Sequence, residues 1–261
     1  MASSDKLQSQ RFELKYHIHE QQAHSIRDFV LSYLEPDPFN SPKWDGGYPV
    51  HSLYLDSRSL RLCRDTLKGH KNRYKLRIRF YNEEPGSPTF FEIKQRRNDI
   101  IQKQRAMVYR ESVLPLLSRH VPTRDDLMKP SDMKALGALQ RFCALRDELR
   151  AEGAAYVSYL REAYVAHEGN GVRVTFDRDL VARAFNENEF KMPSLDEGVH
   201  PKVPTVVLEL KFTDRFPNWM HDLVGIFNLR RESMPKYVEC VSSLHNGRAG
   251  QVAEALRGEL L

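Results

Sequence analysis

The sequence predicts an α+β fold: a sheet of about eight long β-strands that can close into a barrel without free edges, with helices packed on its outside. Three observations predict it. Segments in which apolar and polar residues alternate recur along the chain, and successive side chains of a strand point to opposite faces. At least six of these segments carry charged residues on one face. The intervening helices are amphipathic and need an apolar surface to cover.

The clearest strand covers residues 73–80, where cationic and apolar residues alternate for four periods. One face would carry Arg73, Lys75, Arg77 and Arg79, and the other Tyr74, Leu76, Ile78 and Phe80. Four like charges side by side repel each other and do nothing for the stability of a strand. A dense anion is therefore the expected partner. The alternative is an exposed edge strand, because lysine and arginine protect sheet edges from aggregation.

The elements before this strand follow from periodicity and from turn residues. In order, the sequence predicts a strand at 11–17, a helix at 20–34, a loop at 36–49, a strand at 49–56 and a helix at 58–67. Asp56 and Ser57 are typical of a helix start, and Gly69 ends that helix.

The elements after it alternate between strands and helices. The sequence predicts a turn at 82–88, strands at 89–96 and 100–110, and a helical region at 113–150. Paired strands at 156–166 and 171–180, a loop at 186–204 and a strand at 206–212 follow. The last predicted elements are three helical segments, at 217–229, beginning near Pro235, and at 249–260. The clearest helix is 133–149, and Gly169 to Gly171 form the turn of the hairpin.

Composition narrows the functional classes. The 261 residues suit one large β domain or two smaller ones, and the net charge of +5 with a pI of about 9.0 favours anionic partners. No dense basic block of the kind found in nucleic-acid-binding arms is present outside the strands, so no nucleic acid is expected.

Cysteine usage and the termini predict a cytoplasmic protein. Cys63, Cys143 and Cys240 are odd in number and form no C-x-x-C pair, which argues against a zinc knuckle or a disulfide framework. The first ten residues lack an apolar signal core, and no apolar run reaches membrane-spanning length.

Two arrangements fit the charged strand faces. Charges could face outward around an ordinary apolar core, or inward with helices covering an apolar exterior. The outward arrangement should mix charges with Ser, Thr and Asn, whereas these faces are nearly all Arg, Lys and Glu. The pattern therefore favours the inward arrangement, and the outward one stays as the alternative, since charged strand faces are commonly solvated.

An inward-facing set of charges would be strongly cationic. The cationic candidates are Arg11, Lys15, Lys75, Arg77, Arg79, Lys94, Lys103, Arg105 and Arg173. The carboxylates are fewer: Glu13, Glu92 and Glu209. Buried cations need compensation, and phosphate chains supply it because arginine binds phosphate oxygens bidentately. Carboxylates beside phosphates indicate a Mg²⁺ or Mn²⁺ ion between them.

A repeated Glu-x-Lys element strengthens this interpretation. It occurs as Glu13-Leu-Lys15, Glu92-Ile-Lys94 and Glu209-Leu-Lys211, each time within an alternating strand. Cross-strand ion pairs that stabilise the sheet are the alternative explanation. The chain has no P-loop, no protein-kinase signature set, no G-x-S-x-G elbow and no H-E-x-x-H helix.

Several of these segments, in this order, resemble the VTC domain, the polyphosphate polymerase module. They are Arg11–Tyr16, Tyr48–Asp56, Asn72–Arg79, Phe91–Lys94, Arg173–Asp177, Leu208–Phe212 and Pro235–Tyr237. The resemblance implies a single triphosphate tunnel domain over residues 1–261 with a core at about 10–242. It also implies the fold of the triphosphate tunnel metalloenzymes, an eight-stranded antiparallel tunnel with helices outside.

The resemblance also implies an activity, a metal and site residues. Active polymerases of the family transfer the γ-phosphate of ATP to a polyphosphate chain with Mn²⁺ or Mg²⁺. Catalytic roles fall to Lys15, Arg77, Arg79, Lys94 and Lys236, the last at the tunnel mouth. Phosphate contacts fall to Arg11, Lys75, Lys103, Arg105 and Arg173. Metal binding falls to Glu209, together with Glu13 and Glu92.

Two departures from the family pattern keep alternatives open. Ser233 stands where the polymerase pattern has a second lysine, three residues before Lys236, which favours a polyphosphate-binding module without turnover. Arg11 stands at the first position of the Glu-x-Glu-x-Lys element of triphosphatases, which argues against a plain triphosphatase. A tunnel tripolyphosphatase or nucleoside triphosphatase is the other alternative. Membrane coupling would require a separate partner protein.

Overall fold

The computed structural model describes residues 11–84, 86–98, 100–166, 171–186, 189–201, 206–232 and 235–245, with the backbone alone at Arg11 and His245. The strands are β1 Arg11–Ile18, β2 Glu35–Pro36, β3 Tyr48–Asp56, β4 Asn72–Phe80, β5 Thr89–Arg97, β6 Ile100–Val108, β7 Glu152–Val165, β8 Arg173–Arg183 and β9 Val206–Thr213. The helices are α1 Glu20–Leu31, α2 Arg61–Leu67, α3 Val113–Leu117, α4 Met133–Leu149, α5 Asn218–Ile226 and α6 Lys236–His245.

The strands pair in the order β1-β9-β8-β7-β3-β4-β5-β6, and β2 pairs with β7. The predicted α+β class and the antiparallel sheet with helices are confirmed. Within the described ranges the ladder does not close into a barrel. None of the helices in this part of the chain is both long and apolar enough to span a bilayer.

The described chain forms two compact units. The first unit comprises the described residues of 11–48, 160–179 and 206–232. The second unit comprises the described residues of 49–159, 180–201 and 235–245. Strands β7 and β8 each contribute to both units. Each unit has its own apolar core.

In the first unit, β1, β9 and β8 pair with charged residues on one face and apolar residues on the other. Glu13 pairs with Lys211 and Lys15 with Glu209 across β1 and β9. The opposite faces of these strands join α1 and α5 in the core, with Tyr16, Ile26, Val30, Val174, Phe176, Leu208, Leu210, Met220 and Leu223 all buried. The predicted alternation of β1, β8 and β9 is therefore confirmed.

A buried carboxylate fixes α1 to the strands of the first unit. Glu162 of β7 lies 2.5 Å from Arg27 Nε of α1 and 2.7 Å from Arg178 Nη1 of β8. The hydroxyl of Tyr164 donates to the same carboxylate at 2.5 Å. Although burial opposes ionisation, these hydrogen bonds and the arginine charges lower the pKa of Glu162.

In the second unit, β3, β4, β5 and β6 form a continuous antiparallel stretch. Leu76, Ile78 and Phe80 of β4 are completely buried in the core, as the alternation predicts. Helix α4 packs on β5 and β6, and the rings of Phe91 and Phe142 meet edge to face at 5.0 Å. The predicted bounds of α4 are confirmed: Asp132 accepts a hydrogen bond from Ala135 N at its start.

Helix α2 starts three residues later than predicted. The carboxylate of Asp56 accepts hydrogen bonds from the backbone N–H groups of Ser57, Leu62 and Cys63, so it caps the helix from a distance. Leu60 takes a left-handed conformation with φ of 54° immediately before the helix. The hairpin turn at 169–170, Ser233 and the predicted helical segment 249–260 lie outside the described residues.

Replacing Glu162 by Ala should destabilise the protein by about 3 kcal/mol, because two partly buried arginines would lose their shared carboxylate. The free energy of unfolding from urea titration measures this. Glu152→Ala is the control, because Glu152 pairs with a largely exposed Arg58, and its loss should cost about 0.5 kcal/mol. Equal losses for the two variants would contradict the prediction.

Candidate functional site

The charged face of the second unit is organised in rows across β4, β5 and β6. Arg77, Glu92 and Arg105 lie opposite one another in one row, and Lys75, Lys94 and Lys103 in the next. Arg79 lies one step further along β4. We call these six cations with Glu92 the cation cluster. It unites seven of the predicted site residues.

Glu92 is the anionic centre of the cation cluster. It is completely buried, and its carboxylate lies 2.6 Å from Arg77 Nε, 2.5 Å from Lys103 Nζ and 3.3 Å from Arg105 Nε. Burial alone would raise the pKa of Glu92, but Arg77, Arg79 and Lys103 hold it far below its usual range. A carboxylate so surrounded orders cations, and its predicted role as a metal ligand stays a prediction.

Two tyrosines hold the arginines of β4 in place. Arg77 donates from Nη1 to the Tyr54 hydroxyl at 3.3 Å. Arg79, which is 8% exposed, donates to the Tyr159 hydroxyl at 3.1 Å and to Ser52 Oγ at 3.3 Å. Burial would raise the pKa of Tyr54, yet Arg77, Lys75 and Arg79 lower it to about 8.

The lysine row is an unfavourable arrangement in the absence of an anion. Like charges directly opposite each other on neighbouring strands repel. Burial, reinforced by Arg77 and Arg105, lowers the pKa of Lys103 to about 8 even though Glu92 opposes this shift. Six cations and one carboxylate, Glu92, thus lie in register across β4 to β6, and three of the cations, Arg77, Lys103 and Arg105, contact that carboxylate.

Lys236 enters the second unit's site from α6. Its ammonium lies 5.1 Å from the centre of the Tyr159 ring. The next residue, Tyr237, stacks on Tyr54 with ring centres 4.6 Å apart and donates its hydroxyl to Asp56 Oδ2 at 2.7 Å. Lys236 and Arg79 therefore contact the same tyrosine, Lys236 at its ring and Arg79 at its hydroxyl, and the predicted position of Lys236 at a tunnel mouth stays a prediction.

The charged face of the first unit is richer in carboxylates. We call Glu13, Lys15, Arg161, Asp177, Glu209 and Lys211 the carboxylate cluster. Lys15 Nζ lies 3.1 Å from Glu13 Oε1 and 3.1 Å from Glu209 Oε1. Burial disfavours the charge on Lys15, but Glu209 and Glu13 overcome it and raise its pKa. Both predicted carboxylates therefore converge on one cation position.

Arg161 and Lys211 complete the carboxylate cluster. Arg161 contacts Asp177 with two nitrogens at 2.6 and 2.7 Å and Glu209 at 3.3 Å, while Lys211 Nζ lies 2.6 Å from Glu209. Burial and then Arg161 lower the pKa of Lys211 to about 8, against the effect of Glu209. Three cations share three carboxylates, so this cluster is close to neutral.

The remaining predicted cations of the first unit lie apart from this pairing. Arg173 is directly opposite Lys211, but its guanidinium contacts Asp37 Oδ2 at 2.7 Å and the Tyr48 hydroxyl at 2.8 Å. The backbone of Arg11 pairs with Thr213, and its side chain lies outside the described residues.

Sequence reasoning missed Arg161, Asp177 and Lys211 as site residues, and also Tyr54 and Tyr159. Lys211 and Asp177 were detectable, because they alternate with buried residues on strands already assigned. Arg161 was harder to find, since it sits in a mostly buried stretch of β7 whose pattern is weakly alternating.

The carboxylate cluster meets the needs of a divalent metal only in part. No group of three or more acidic, histidine or cysteine side chains suited to a metal occurs in the described part of the chain. Mg²⁺ and Mn²⁺ are commonly held by one or two carboxylates, with phosphate oxygens and water completing the shell. Glu13 and Glu209 provide two such carboxylates, and in this structure both contact the ammonium of Lys15.

Fold and charge define a class of α+β protein in which one face of an antiparallel sheet carries a row of basic residues around a buried carboxylate. The family model for the VTC domain matches residues 10–245. The chain belongs to this family. Comparison with curated proteins finds no match.

Three solved structures are similar over most of their length. A candidate adenylate cyclase from Bacillus halodurans has a TM-score of 0.49 at 12% identity, covering 86% of this chain and 93% of that one. The PH1819 protein from Pyrococcus horikoshii gives 0.45 at 14%, covering 88% and 96%. A candidate adenylate cyclase from Vibrio parahaemolyticus gives 0.42 at 12%, covering 88% and 98%.

The affinity of the cation cluster for an inorganic polyanion should fall as pH rises through about 8. Lys103 then loses its positive charge and Tyr54 gains a negative one, so both titrations weaken anion binding. Calorimetric titration with tripolyphosphate at pH 7 and 9 tests this, with an expected loss of about tenfold. In Lys103→Arg the loss should be smaller, because arginine stays charged. Identical pH profiles for the two proteins would contradict the assignment.

Proposed function

We propose that this protein is a metal-dependent polyphosphate polymerase-like enzyme that transfers the γ-phosphate of ATP to a polyphosphate chain. The cation cluster is the observation that carries the proposal. Six cations lie in register on three adjacent strands around one buried carboxylate, in a chain that belongs to the VTC family. A partner with several closely spaced negative charges suits such a concentration of cations.

The geometry suits phosphate chains better than single anions. The row that contains Arg77 and the row that contains Lys75 are two residues apart along β4. Positive charges therefore recur at a regular interval along this face, as negative charges do along a phosphate chain. Arg77 and Arg79 are fixed by Tyr54 and Tyr159, which prepares their guanidinium groups for bidentate contacts. Phosphoryl transfer needs chiefly such positioning and neutralisation of charge.

The reaction places simple demands on these residues. An oxygen of the terminal polyphosphate unit attacks the γ-phosphorus of ATP, the bond to the β,γ-bridging oxygen breaks, and ADP leaves. Arg77 and Arg79 would stabilise the charge on the transferred phosphoryl group, and Lys94 and Lys103 would hold the neighbouring phosphates. Lys236 would contact the phosphates from α6. Positioned cations of this kind are the main source of rate enhancement in phosphoryl transfer.

Glu13 and Glu209 would hold Mn²⁺ or Mg²⁺. Their oxygens already converge on the ammonium of Lys15, so this position favours positive charge. A divalent metal held there would act as a Lewis acid on phosphate oxygens in its own coordination shell. Glu92 is better suited to ordering the cation cluster, because its carboxylate is surrounded by Arg77, Lys103 and Arg105.

One observation favours a polyphosphate-binding module without turnover as a second candidate. The ammonium of Lys15 occupies the position on which both carboxylates converge, so the chain can neutralise Glu13 and Glu209 without a metal. A tripolyphosphatase or nucleoside triphosphatase would use the same residues with water in place of the polyphosphate oxygen. A cytoplasmic location, a single domain over residues 1–261 and a separate membrane partner stay predictions.

Arg77→Ala and Lys94→Ala should each lower the rate of polyphosphate synthesis by at least about 100-fold, because each removes a cation that contacts phosphate. Incubation with ATP, Mn²⁺ and a triphosphate primer, followed by a polyphosphate gel and an orthophosphate assay, measures this. Arg58→Ala is the control, because the Arg58 side chain is 87% exposed and lies outside the cluster.

The products distinguish the three functions. A polymer ladder with ADP release supports the polymerase, and orthophosphate without a ladder supports a hydrolase. Tight tripolyphosphate binding with neither product supports the binding module. A wild-type protein that neither binds tripolyphosphate nor turns over ATP would refute the proposal.

Glu209→Gln and Glu13→Gln should raise the dissociation constant of Mn²⁺ by about tenfold or more, because each removes a charged ligand. Electron paramagnetic resonance of free Mn²⁺, with a non-hydrolysable ATP analogue present, measures binding without turnover. Glu232→Gln is the matched control in the same unit, since that side chain is 56% exposed and its carboxylate lies 3.5 Å from His17 Nδ1. Unchanged Mn²⁺ affinity in Glu209→Gln would remove the assigned metal role.

A further inference from the structure

Two adjacent residues of α6 contact two tyrosines that bind the arginines of β4. Lys236 lies over the ring of Tyr159, and Tyr237 stacks on Tyr54. The hydroxyl of Tyr159 accepts from Arg79, and the hydroxyl of Tyr54 accepts from Arg77. The helix therefore reaches the phosphate arginines through two parallel side-chain links, each with a tyrosine in the middle.

The link through Tyr237 is rigid at its far end. Tyr237 is 1% exposed, and its hydroxyl donates to Asp56 Oδ2 at 2.7 Å. Asp56 itself is held by the backbone N–H groups of Leu62 and Cys63 at the start of α2, both at 2.9 Å. The stacked rings are nearly parallel, at 15°, so the position of Tyr54 follows that of Tyr237.

The link through Tyr54 ends on Arg77, a cation held by two side-chain contacts. Arg77 contacts the fully buried Glu92 at 2.6 Å through Nε and Tyr54 through Nη1. These two contacts fix the plane of the guanidinium group, and a planar group in a fixed orientation loses less entropy when it binds phosphate. Removing the hydroxyl of Tyr54 frees one side of the group while the ring and its stacking remain.

We propose that Tyr54 and Tyr237 are positioning residues that couple the docking of α6 to phosphate binding at Arg77. The proposal rests on the proposed function only in taking a phosphate chain as the ligand of the cation cluster. Such coupling is reciprocal. A bound phosphate chain stabilises α6 on the sheet, and a docked α6 raises the affinity for phosphate and keeps Lys236 in place.

The coupling is separable from ordinary packing. Tyr54→Phe retains the ring stacking and removes only the hydroxyl that meets Arg77. Tyr237→Phe retains the same stacking and removes only the contact with Asp56. Tyr74→Phe is the matched control, since Tyr74 lies on the opposite face of β4 and packs against the apolar core.

Hydrogen exchange of the α6 amides, with and without tripolyphosphate, tests the coupling together with calorimetric affinities. In the wild-type protein and in Tyr74→Phe, tripolyphosphate should slow exchange over residues 236–245 by about tenfold, towards the lower end of the range for coupled sites. In Tyr54→Phe and Tyr237→Phe this protection should drop to about twofold or less, and the affinity for tripolyphosphate should fall about fivefold.

The outcomes separate this proposal from the proposed function. If the wild-type protein binds tripolyphosphate but α6 is protected equally in all four proteins, the coupling is refuted and phosphate binding stands. If the wild-type protein shows no binding, both are refuted. If only Tyr237→Phe loses the hydrogen-exchange protection of α6, then Tyr237 merely anchors α6 locally. That result would overturn the assigned role of Tyr54. Near-ultraviolet circular dichroism of each variant establishes that it is folded.

Discussion

The contact between Glu92 and Arg77 is the interaction on which the charged face of the second unit depends. A fully buried carboxylate in a sheet is tolerated only when it is well compensated, and Arg77 lies 2.6 Å away with Lys103 and Arg105 close by. This one anion allows three cations to approach each other on adjacent strands. Without Glu92, the cations in the rows of Lys75 and Arg77 would repel each other more strongly, and this repulsion would destabilise the pairing of β4 with β5.

The two units share the same alternating strand pattern, but their charged faces differ in net charge. In the cation cluster, Lys75, Lys94 and Lys103 stand in line and leave a surplus of positive charge. In the carboxylate cluster, acids and bases alternate across β1 and β9, and Lys15 and Lys211 are matched by Glu13 and Glu209. One sequence motif, Glu-x-Lys, therefore gives a cationic face in one unit and a nearly neutral face in the other, depending on the residues that lie opposite it.

The sequence was sufficient for the α+β class, for the faces of the strands and for the bounds of α4, because period-two and helical patterns are local properties. It was insufficient for pairing partners. Whether Glu92 meets cations or a metal depends on Arg77 and Arg105 lying opposite it, and that register is a property of the assembled sheet. Closure into a barrel depends on strand tilt and stagger, which alternation does not encode. The roles of Tyr54 and Tyr237 also depend on contacts between distant segments.

The row of three lysines has a consequence for how this protein is handled outside its normal surroundings. Like charges in register repel each other, and dissolved ions screen that repulsion, so we expect the conformational stability of the second unit to depend on the ionic strength of the buffer. A polyvalent anion that binds only the folded protein would add to this stability by mass action. The choice of counter-ion is therefore the first variable to control in purification and crystallisation.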